Sequence, residues 1–379
     1  MKTYRRLDKV FTRGEGCWLF ASTGERYLDL VAGIATNQLG HCHPEIVAEI
    51  ARQAGELLHV PGSCITVPQA QLVETLCQLA GMDRVFFSPC GTTAVETALK
   101  IAKKFGRTKG ESPEIIAVTG SFHGRTLGSL SATMQAKFQD QFAPLVPGFV
   151  AIPRNDEAAL AAAINERTAA VIVEPIQGES GVHPMSSSFL QTARDLTTQH
   201  RALLVFDEIQ TGMGRTGTMF HFEQHGVKPD VLVLAKGLGS GVPIGACLAA
   251  GEAAEVLQVG DHGSTSGGNP LACAVALKVI EILKRDDVLS NVAARGEQFR
   301  DRLRGHPAVA SIRGSGLMLG VELKEPIAKD VVERAFQRGL LLNATSDTTL
   351  RLVPPLNISE DLVDKAVALI ADALVVHEG

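Results

Sequence analysis

LLVFDE at residues 203–208 and VLVLAKGLG at residues 231–239 are the two stretches that decide the fold class. Each begins with four apolar residues in succession, and neither alternates apolar with polar positions. Continuous runs of this kind are typical of strands that are buried on both faces of a largely parallel sheet. Asp207 follows the first run and Lys236 follows the second. Because α/β sheets place ligand contacts at the carboxyl ends of their strands, both residues are candidates for a site.

The middle of the chain repeats this pattern. Similar apolar runs occur at residues 85–87, 115–118, 170–173 and 246–250. Longer stretches that favour helices separate most of them, such as residues 189–200 and residues 94–105, where apolar side chains recur at helical spacing. This alternation predicts an α/β architecture.

The C-terminal third predicts a separate α+β domain of roughly 100 residues. Its expected helices are residues 271–284, 292–303, 329–338 and 362–375, and its expected short strands are residues 309–312, 317–323, 340–343 and 350–353. Residues 16–20 and 26–29 are strand-like and could join either domain.

Composition excludes several classes of protein. The net charge of −5 implies no domain-scale basic surface, so nucleic acid is not an expected partner. The seven cysteines are odd in number and form no CxxC spacing, which favours reduced thiols and a cytoplasmic location. The N-terminus is charged, and no apolar run reaches the roughly 18 residues that span a bilayer. We therefore expect a soluble protein with no membrane contact.

Asp207 alone has several interpretations. It could be a capping or turn aspartate, or it could bind Mg²⁺ as the Walker B acid of an ATPase. The ATPase interpretation requires a phosphate loop that ends in Gly-Lys-Ser/Thr, and the chain contains no Gly-Lys dipeptide. Lys236 alone could be a strand-end lysine whose amine extends to water.

The two residues together indicate more specific chemistry. A lysine behind an apolar strand has poor access to water, and burial lowers the pKa of its amine. The neutral amine is the form that makes a Schiff base. Pyridoxal phosphate needs such a lysine for its aldehyde, an acid for its ring nitrogen and a binding site for its phosphate. Neighbouring strands could supply Lys236 and Asp207 from one edge of the sheet.

The candidate phosphate site is SPCGTT at residues 88–93, between an expected strand and an expected helix. A glycine turn that runs into a helix N-terminus presents free N–H groups and the positive end of the helix dipole. Gly91 permits close approach and Thr92 adds a hydroxyl donor, although an ordinary helix cap made by the threonines is compatible with the same residues. Thr265, in a polar glycine-rich loop, is a second candidate.

Two further patterns carry less weight. GMGRTG at residues 212–217 has the spacing of a dinucleotide loop, but it lacks the helix and the later acid that such a site needs. HCHP at residues 41–44 suggests a metal site, but two histidines without further ligands favour a structural turn. We expect no dinucleotide site and no metal.

Seven motifs, read together, resemble the class III, fold-type I aminotransferases. They are LGHCHP (39–44), FHGRT (122–126), VEPIQGE (173–179), FDEIQTGMGRTG (206–217), AKGLG (235–239), GSTSGGNP (263–270) and LRLVPPL (350–356). The resemblance implies a large domain with a mostly parallel central sheet flanked by helices, plus a smaller α+β domain. The implied bounds are residues 1–45 for an N-terminal segment that joins the small domain, 46–260 for the large cofactor-binding domain, and 261–379 for an interdomain helix and the small C-terminal domain.

The resemblance also implies roles in holding pyridoxal 5'-phosphate. Lys236 would bond the cofactor and carry the reaction's proton, and Asp207 would hold the ring nitrogen. The remaining cofactor contacts would be Gln210 at the phenolic oxygen, Phe122 and Ile209 on the ring faces, and Cys90, Gly91 and Thr92 around the phosphate. Thr265 would reach the phosphate from the partner subunit of a homodimer whose sites lie at the subunit interface.

For substrates, the resemblance implies two arginines that bind carboxylates in a planar, bidentate manner. Arg125 would bind the α-carboxylate of acetylornithine or the distal carboxylate of 2-oxoglutarate, and Arg351 would hold the α-carboxylate of glutamate. Glu179 would pair with Arg351 while the ω-amino substrate is bound, and Ser264 would lie near the substrate. Without the resemblance, a surface ion pair is the simpler interpretation of Arg351.

The implied reaction passes the terminal amino group of N2-acetyl-L-ornithine to 2-oxoglutarate. It would give N-acetyl-L-glutamate 5-semialdehyde and L-glutamate by ping-pong turnover, as a step in arginine biosynthesis. Alternative ω-amines are succinylornithine, succinyldiaminopimelate, 4-aminobutyrate and lysine-pathway compounds, and an aminomutase is a further alternative. Ile34 lies where ornithine aminotransferases carry a carboxylate-binding tyrosine, which weakens the free-ornithine interpretation.

The chain departs from the family pattern at several positions. Cys90 stands where serine is usual, Thr93 and Val95 replace glutamate and asparagine, Ser266 replaces an aromatic residue, and Thr345 replaces a glycine. The loss of bulk at Ser266 could enlarge the pocket, so the acyl group of the substrate stays open.

Overall fold

The computed structural model describes residues 1–4 and 6–375. An N-terminal antiparallel unit comes first along the chain, with strands β1 (Phe11–Glu15), β2 (Trp18–Ala21) and β3 (Arg26–Asp29). The strand expected at residues 26–29 is confirmed. The strand expected at residues 16–20 begins two residues later, because Gly16 has a φ of 55° and pairs with His41 instead.

A seven-stranded sheet forms the centre of the molecule. Its strands are β4 (Arg84–Ser88), β5 (Glu114–Val118), β6 (Phe149–Ile152), β7 (Thr168–Val173), β10 (Leu203–Asp207), β11 (Val231–Leu234) and β12 (Gly245–Ala249), and a short hairpin of β8 (Ile176–Gln177) and β9 (His183–Pro184) follows β7. The order across the sheet is β4-β12-β11-β10-β7-β5-β6. All six strands expected here are present, and β6 is an additional edge strand that its partly exposed pattern concealed.

The central sheet is parallel except at one strand. β5, β6, β7, β10 and β11 pair in parallel, whereas β12 runs antiparallel to both β11 and β4. Every residue of β7, β10, β11 and β12 is buried. Burial on both faces explains why these strands are continuous apolar runs in the sequence.

A second sheet lies in the C-terminal part, in the order β13-β14-β17-β16. Its strands are β13 (Val309–Ser315), β14 (Met318–Leu323), β16 (Asn343–Ala344) and β17 (Thr349–Leu352), while β15 (Leu340–Leu341) joins the N-terminal unit beside β3. The single strand expected at residues 340–343 is therefore wrong, because the run divides between two sheets. The pairing of β15 with β3 connects the two ends of the chain, while the domain bounds stay a prediction.

Helices cover the sheets, and their bounds lie close to those expected. They are α1 (Ala32–Ala35), α2 (Pro44–Glu56), α3 (Val67–Ala80), α4 (Gly91–Gly106), α5 (Leu127–Ala132), α6 (Ala136–Gln139), α7 (Glu157–Ala163), α8 (Ser187–Gln199), α9 (Pro270–Arg285), α10 (Val288–Arg304), α11 (Ala328–Gln337) and α12 (Glu360–Leu374). Side-chain caps mark where several begin, such as Asn269 Oδ1, which accepts the N–H of Ala272 at 2.9 Å. Among the described helices, none has the length and apolar character of a membrane span.

Candidate active site

The carboxyl ends of three central strands meet at one cavity. Glu174 follows β7, Asp207 ends β10, and Lys236 lies two residues beyond β11. Since β10 pairs in parallel with both β7 and β11, these three side chains come to the same edge of the sheet. The cavity has a volume of about 380 Å³ and is lined by Thr36, Pro89, Cys90, Gly91, Thr92, Phe122, His123, Gly124, Arg125, Glu174, Glu179, Asp207, Ile209, Gln210, Ala235, Lys236, Gly241, Val242, Pro243 and Ile244.

Asp207 is held in place by buried partners. Its Oδ2 lies 2.7 Å from Nδ1 of His123, and its Oδ1 accepts the N–H of Ile209 at 3.1 Å. Burial lowers the pKa of His123, but the hydrogen bond and the charge of Asp207 outweigh burial and leave that pKa raised. The pair therefore favours a proton on His123, and the two contacts fix the carboxyl group of Asp207 at the cavity.

Lys236 provides an amine with no competing contact. Within residues 1–4 and 6–375, its Nζ has no hydrogen-bond or ion-pair partner. Burial lowers the pKa of Lys236 and outweighs the raising effect of Glu179 and Asp207. Its φ of 43° is unusual for a residue with a side chain and turns the chain sharply after the strand. The result is an amine that is neutral more readily than that of an ordinary lysine.

Glu174 is a site residue that the sequence-based reasoning missed. Its carboxylate accepts the N–H of Phe122 at 2.7 Å and the N–H of Gly178 at 3.4 Å. Burial raises the pKa of Glu174 to about 7, although the nearby His123 opposes that rise. The signal that could have found it is the one that found Asp207: a carboxylate directly after a buried apolar strand.

The predicted phosphate site is a helix N-terminus that opens into the cavity. Helix α4 begins at Gly91, three residues earlier than expected, and its N-cap residue Cys90 makes no side-chain cap. A Cβ at position 91 would lie 2.9 Å from Cδ1 of Ile209, so glycine allows the helix end to approach this side chain. The hydroxyl of Thr92 is engaged by Ser129 at 2.7 Å and Thr126 at 3.2 Å.

The residue set fits pyridoxal phosphate. The cavity offers an amine at Lys236 for a carbonyl carbon and a fixed carboxylate at Asp207 for a ring nitrogen. Phe122 and Ile209 add an aromatic and an aliphatic surface. The start of α4, where the close approach of Gly91 leaves no room for a side chain, provides the N–H groups and dipole that suit a phosphate.

A second group of residues contains the expected substrate contacts. Nη1 of Arg351 lies 2.5 Å from Oε1 of Glu179 and also donates to Oε1 of Gln210 at 3.3 Å. Burial raises the pKa of Glu179, but the charges of Arg351 and Lys236 outweigh it and leave the pKa lowered. Arg351 is thus neutralised by a carboxylate at the cavity, and the surface ion pair that the sequence alone suggested is wrong, since Arg351 is 1% exposed.

Arg125 differs from Arg351 in its surroundings. Arg125 lines the cavity itself, whereas Arg351 reaches it only through Glu179; the side chain of Arg125 is exposed and carries no ion pair among the described residues. Its guanidinium lies 4.1 Å from the ring centre of Phe138 and 5.4 Å from that of Phe122. Aromatic contacts orient this cation without neutralising it.

The structure does not bring every predicted site residue into this cavity. Thr265 and Ser264 lie in the loop before α9 and are outside the cavity lining. Thr265 is exposed, and Oγ of Ser264 accepts the N–H of Gly267 at 3.1 Å. Their assigned roles stay predictions, and that of Thr265 needs a second copy of the chain.

The HCHP and GMGRTG patterns, at residues 41–44 and 212–217, make contacts within the fold. Nε2 of His41 lies 2.8 Å from Oδ2 of Asp29. In residues 212–217, the buried Arg215 donates to the carbonyl oxygens of Leu317 at 3.0 Å and Pro354 at 2.6 Å. Arg215 thereby ties this loop to the C-terminal part of the chain.

Comparisons of the whole chain agree with the geometry. A family model described as "Aminotransferase class-III" matches residues 2–374. Acetylornithine aminotransferase from Gloeobacter violaceus is 49% identical over 377 residues, which cover 98% of this chain and 94% of that relative. Acetylornithine aminotransferase from Methanocaldococcus jannaschii is 45% identical over 373 residues, with 96% and 93% covered.

Solved structures show the same fold. An ornithine aminotransferase from Toxoplasma gondii, described with partial occupancy of PLP at its active site, superposes with a TM-score of 0.94 at 34% identity, covering 98% of this chain and 90% of that one. An N-acetylornithine aminotransferase from Stenotrophomonas maltophilia K279a gives a TM-score of 0.86 at 37% identity, covering 97% and 96%. Since both activities occur on this fold, the fold does not select between their substrates.

Proposed function

The chain belongs to the class III aminotransferases, which use pyridoxal phosphate, and we propose that it acts on N2-acetyl-L-ornithine. The terminal amino group would pass to 2-oxoglutarate and yield N-acetyl-L-glutamate 5-semialdehyde and L-glutamate, in arginine biosynthesis. The observation that carries this proposal is the contrast between two arginines: Arg125 lines the cavity without an ion pair among the described residues, whereas Arg351 is neutralised by Glu179, which also lines the cavity. The acetylornithine aminotransferases among its relatives support the choice of substrate.

When bound, pyridoxal phosphate supplies an aldehyde that takes up an amino group and a ring that accepts electrons. Lys236 would hold it covalently, and the released amine would move the proton at the carbon that bears the substrate's amino group. Asp207, fixed by His123, would hold the proton on the ring nitrogen. Gly91 and Thr92 would hold the phosphate, while Cys90 would contribute a thiol at the same place.

The two arginines answer the requirement that one pocket accept two kinds of substrate. Acetylornithine presents one carboxylate and a neutral acyl tail, whereas glutamate presents two carboxylates. Arg125 would bind the carboxylate that both substrates place at the same end. Glu179 would cover Arg351 while acetylornithine is bound and would leave it when the second carboxylate of glutamate arrives. The exposed Ile34 supplies no hydroxyl for the carboxylate of free ornithine, which favours the acylated substrate.

We further propose that the enzyme is a cytoplasmic homodimer in which Thr265 reaches the partner's site. The apolar side chains of Ile65 and Val67, at the start of α3, and of Val259, six residues before Thr265, are strongly exposed. Gln69, two residues after Val67, donates to the carbonyl oxygen of Gly268 at 3.2 Å, so the start of α3 and the Thr265 loop form one surface. Exposed apolar side chains are common at protein–protein interfaces, which supports the proposal.

A complementation experiment tests the dimer. Lys236→Ala and Thr265→Ala subunits, each inactive or weak alone, are mixed under conditions that exchange subunits. If Thr265 serves the partner's site, a mixed dimer has one intact site and activity returns. If activity does not return although mixed dimers form, Thr265 does not act across the interface.

A half-reaction screen tests the substrate. The protein is loaded with pyridoxal phosphate, and the change in cofactor absorbance is followed for acetylornithine, succinylornithine, ornithine, succinyldiaminopimelate and 4-aminobutyrate. We expect acetylornithine to react with the highest kcat/KM and 2-oxoglutarate to restore the original spectrum. Equal or faster reaction with 4-aminobutyrate would refute the assignment, and failure of 2-oxoglutarate to restore the spectrum would favour an aminomutase.

A further inference from the structure

The turn that carries Glu179 is tied to the C-terminal sheet by two arginines. This turn, residues 178–182, connects β8 to β9. Arg351 on β17 contacts its start, because Nη1 donates to the carbonyl oxygen of Gly178 at 3.2 Å as well as to Glu179. Arg313 on β13 contacts its end, because Nε donates to the carbonyl oxygen of Gly181 at 2.8 Å.

Arg313 is fixed on the side away from the turn as well. Its Nη1 lies 2.8 Å from Oε2 of Glu322, and its Nη2 donates to Oγ1 of Thr349 at 3.0 Å. Thr349 lies two residues before Arg351 on the same strand, so both side chains point to the same face. Nε of Arg313 thus holds the turn and Nη2 holds the strand of Arg351, while Nη1 pairs with Glu322 on β14. A planar guanidinium matches these three acceptors where an amine cannot.

The end of the turn fits closely against its neighbours. Gly181 has a φ of 129°, and a Cβ there would lie 2.6 Å from Nε2 of His183 and 3.1 Å from Nη2 of Arg313. Nε2 of His183 also lies 3.1 Å from the carbonyl oxygen of Ser180. Burial, with the charges of Arg154 and Arg313, lowers the pKa of His183 to about 4, so the neutral ring donates this hydrogen bond near neutral pH.

We propose that Arg313 is a positioning residue that sets how well the enzyme uses its ω-amino substrate relative to glutamate. The inference rests on the proposed function, in which a substrate carboxylate displaces Glu179 from Arg351. That displacement disturbs the tie at the start of the turn, since Arg351 holds both Gly178 and Glu179. The tie from Arg313 to Gly181 does not involve the substrate and persists. The backbone of the turn therefore stays in register, and Glu179 leaves and returns by side-chain rotation.

Arg313→Lys is the test variant, because it keeps the charge but cannot contact all three acceptors. A loosened turn makes the pairing of Glu179 with Arg351 entropically less favourable. The uncovered Arg351 would then attract the carboxylate of acetylornithine into an unproductive pose and bind glutamate more readily. We expect the ratio of kcat/KM for acetylornithine to kcat/KM for glutamate to fall by roughly three- to tenfold, mainly through KM.

Arg300→Lys is the matched control. Arg300 also donates to a backbone oxygen of β13, that of Gly314 at 2.6 Å, but it reaches the strand from α10 and does not contact the turn. Loss of this guanidinium should leave the ratio unchanged. Gly181→Ala displaces the turn by steric contact instead of by lost hydrogen bonds, and it should lower the ratio in the same direction as Arg313→Lys.

A double-mutant cycle with Glu179→Gln separates positioning from general damage. If Arg313 acts through Glu179, Arg313→Lys should change the ratio less than about twofold in the Glu179→Gln background. An equal effect in both backgrounds would overturn the proposal, as would an unchanged ratio in an Arg313→Lys protein that melts at the wild-type temperature. If the wild type prefers another ω-amine, the proposed substrate fails, and the same ratio measured with that amine still tests Arg313.

Discussion

The cofactor side and the substrate side of the cavity are built differently. Asp207 and Lys236 lie at the ends of buried strands that pair along their length, and Asp207 is fixed further by His123 at 2.7 Å. Glu179 lies on a five-residue turn after a two-residue strand, and it is held by an ion pair with Arg351. The first arrangement suits groups that stay in place through every turnover, and we call the cofactor side the rigid side. The second suits a contact that a substrate carboxylate can replace, and we call the substrate side the adjustable side.

Loss of the amine should break the rigid side most completely. Lys236→Ala removes the group that would bond the cofactor and move the proton, so we expect turnover to fall by roughly 10⁴-fold or more. The protein should still bind pyridoxal phosphate through the start of α4, but borohydride should no longer fix the cofactor to the chain. Mass spectrometry of the reduced protein measures this attachment. Wild-type turnover in the variant would overturn the role of Lys236.

Loss of a single charge should give the next largest effect. Asp207→Asn keeps the shape of the side chain but cannot stabilise a positive charge on the ring nitrogen or on His123. We expect kcat to fall by roughly 10²- to 10⁴-fold, while the protein still folds and its melting temperature falls because the buried pair with His123 is lost. Stopped-flow half-reactions and calorimetry measure the two quantities. A tenfold or smaller loss of kcat would mean that Asp207 is structural.

Glu179→Gln tests the adjustable side. The amide cannot neutralise Arg351, so the pocket should favour dicarboxylates permanently. We expect kcat/KM for acetylornithine to fall relative to that for glutamate by about tenfold, while each kcat changes less than its KM. Separate titrations of the two half-reactions measure this ratio. Equal losses for both substrates would argue against a selective role for Glu179.

Glu174 contacts both sides of the cavity, because it accepts the N–H groups of Phe122 and Gly178. Its substitution should give the smallest effect, and that effect should be on stability. Burial raises its pKa to about 7 in the folded protein, whereas an unfolded chain ionises near 4.5. Below the unfolded pKa both states are protonated and the stability is fully present; as pH rises from 4.5 through 7, stability is lost. The glutamine of Glu174→Gln does not titrate. Without cofactor, the free energy of unfolding of this variant should therefore rise relative to that of the wild type over this pH range, by on the order of 1–3 kcal/mol.

Urea unfolding of both cofactor-free proteins between pH 4.5 and 8 measures this difference. A constant offset between the two stability curves would show that Glu174 does not titrate in that window. Asp195→Asn, at an exposed carboxylate on α8, is a suitable control and should follow the wild type.

Much of the rigid side could be predicted because local sequence determines it. The continuous runs LLVF and VLVL are typical of strands buried on both faces, and an acid or amine directly after such a run is expected at the sheet edge. The same reasoning predicted the glycine turn at the start of α4. It missed Glu174, although this residue follows the predicted run at residues 170–173 in the same way.

The adjustable side depended on tertiary structure. More than 130 residues of chain separate the turn that carries Glu179 from each of the two arginines, Arg313 and Arg351. No periodic pattern in the sequence links them. Only the pairing of β13, β14 and β17 places both arginines on one face, opposite the turn. Likewise, the run at residues 340–343 divides between two sheets, since Leu340 and Leu341 pair with β3 whereas Asn343 pairs with β17.

The sequence by itself determined the strand ends, the helix N-terminus and, through its motifs, the family. These features depend on neighbours within a few residues, where apolar periodicity and glycine geometry act. The tertiary structure alone decided which arginine is neutralised and which stays free, because a charge acquires its partner only when distant strands are packed together. Burial then shifts the pKa values of Lys236 and Glu174, while the charges of Arg351 and Lys236 lower that of Glu179 against its burial; both effects depend on the whole fold.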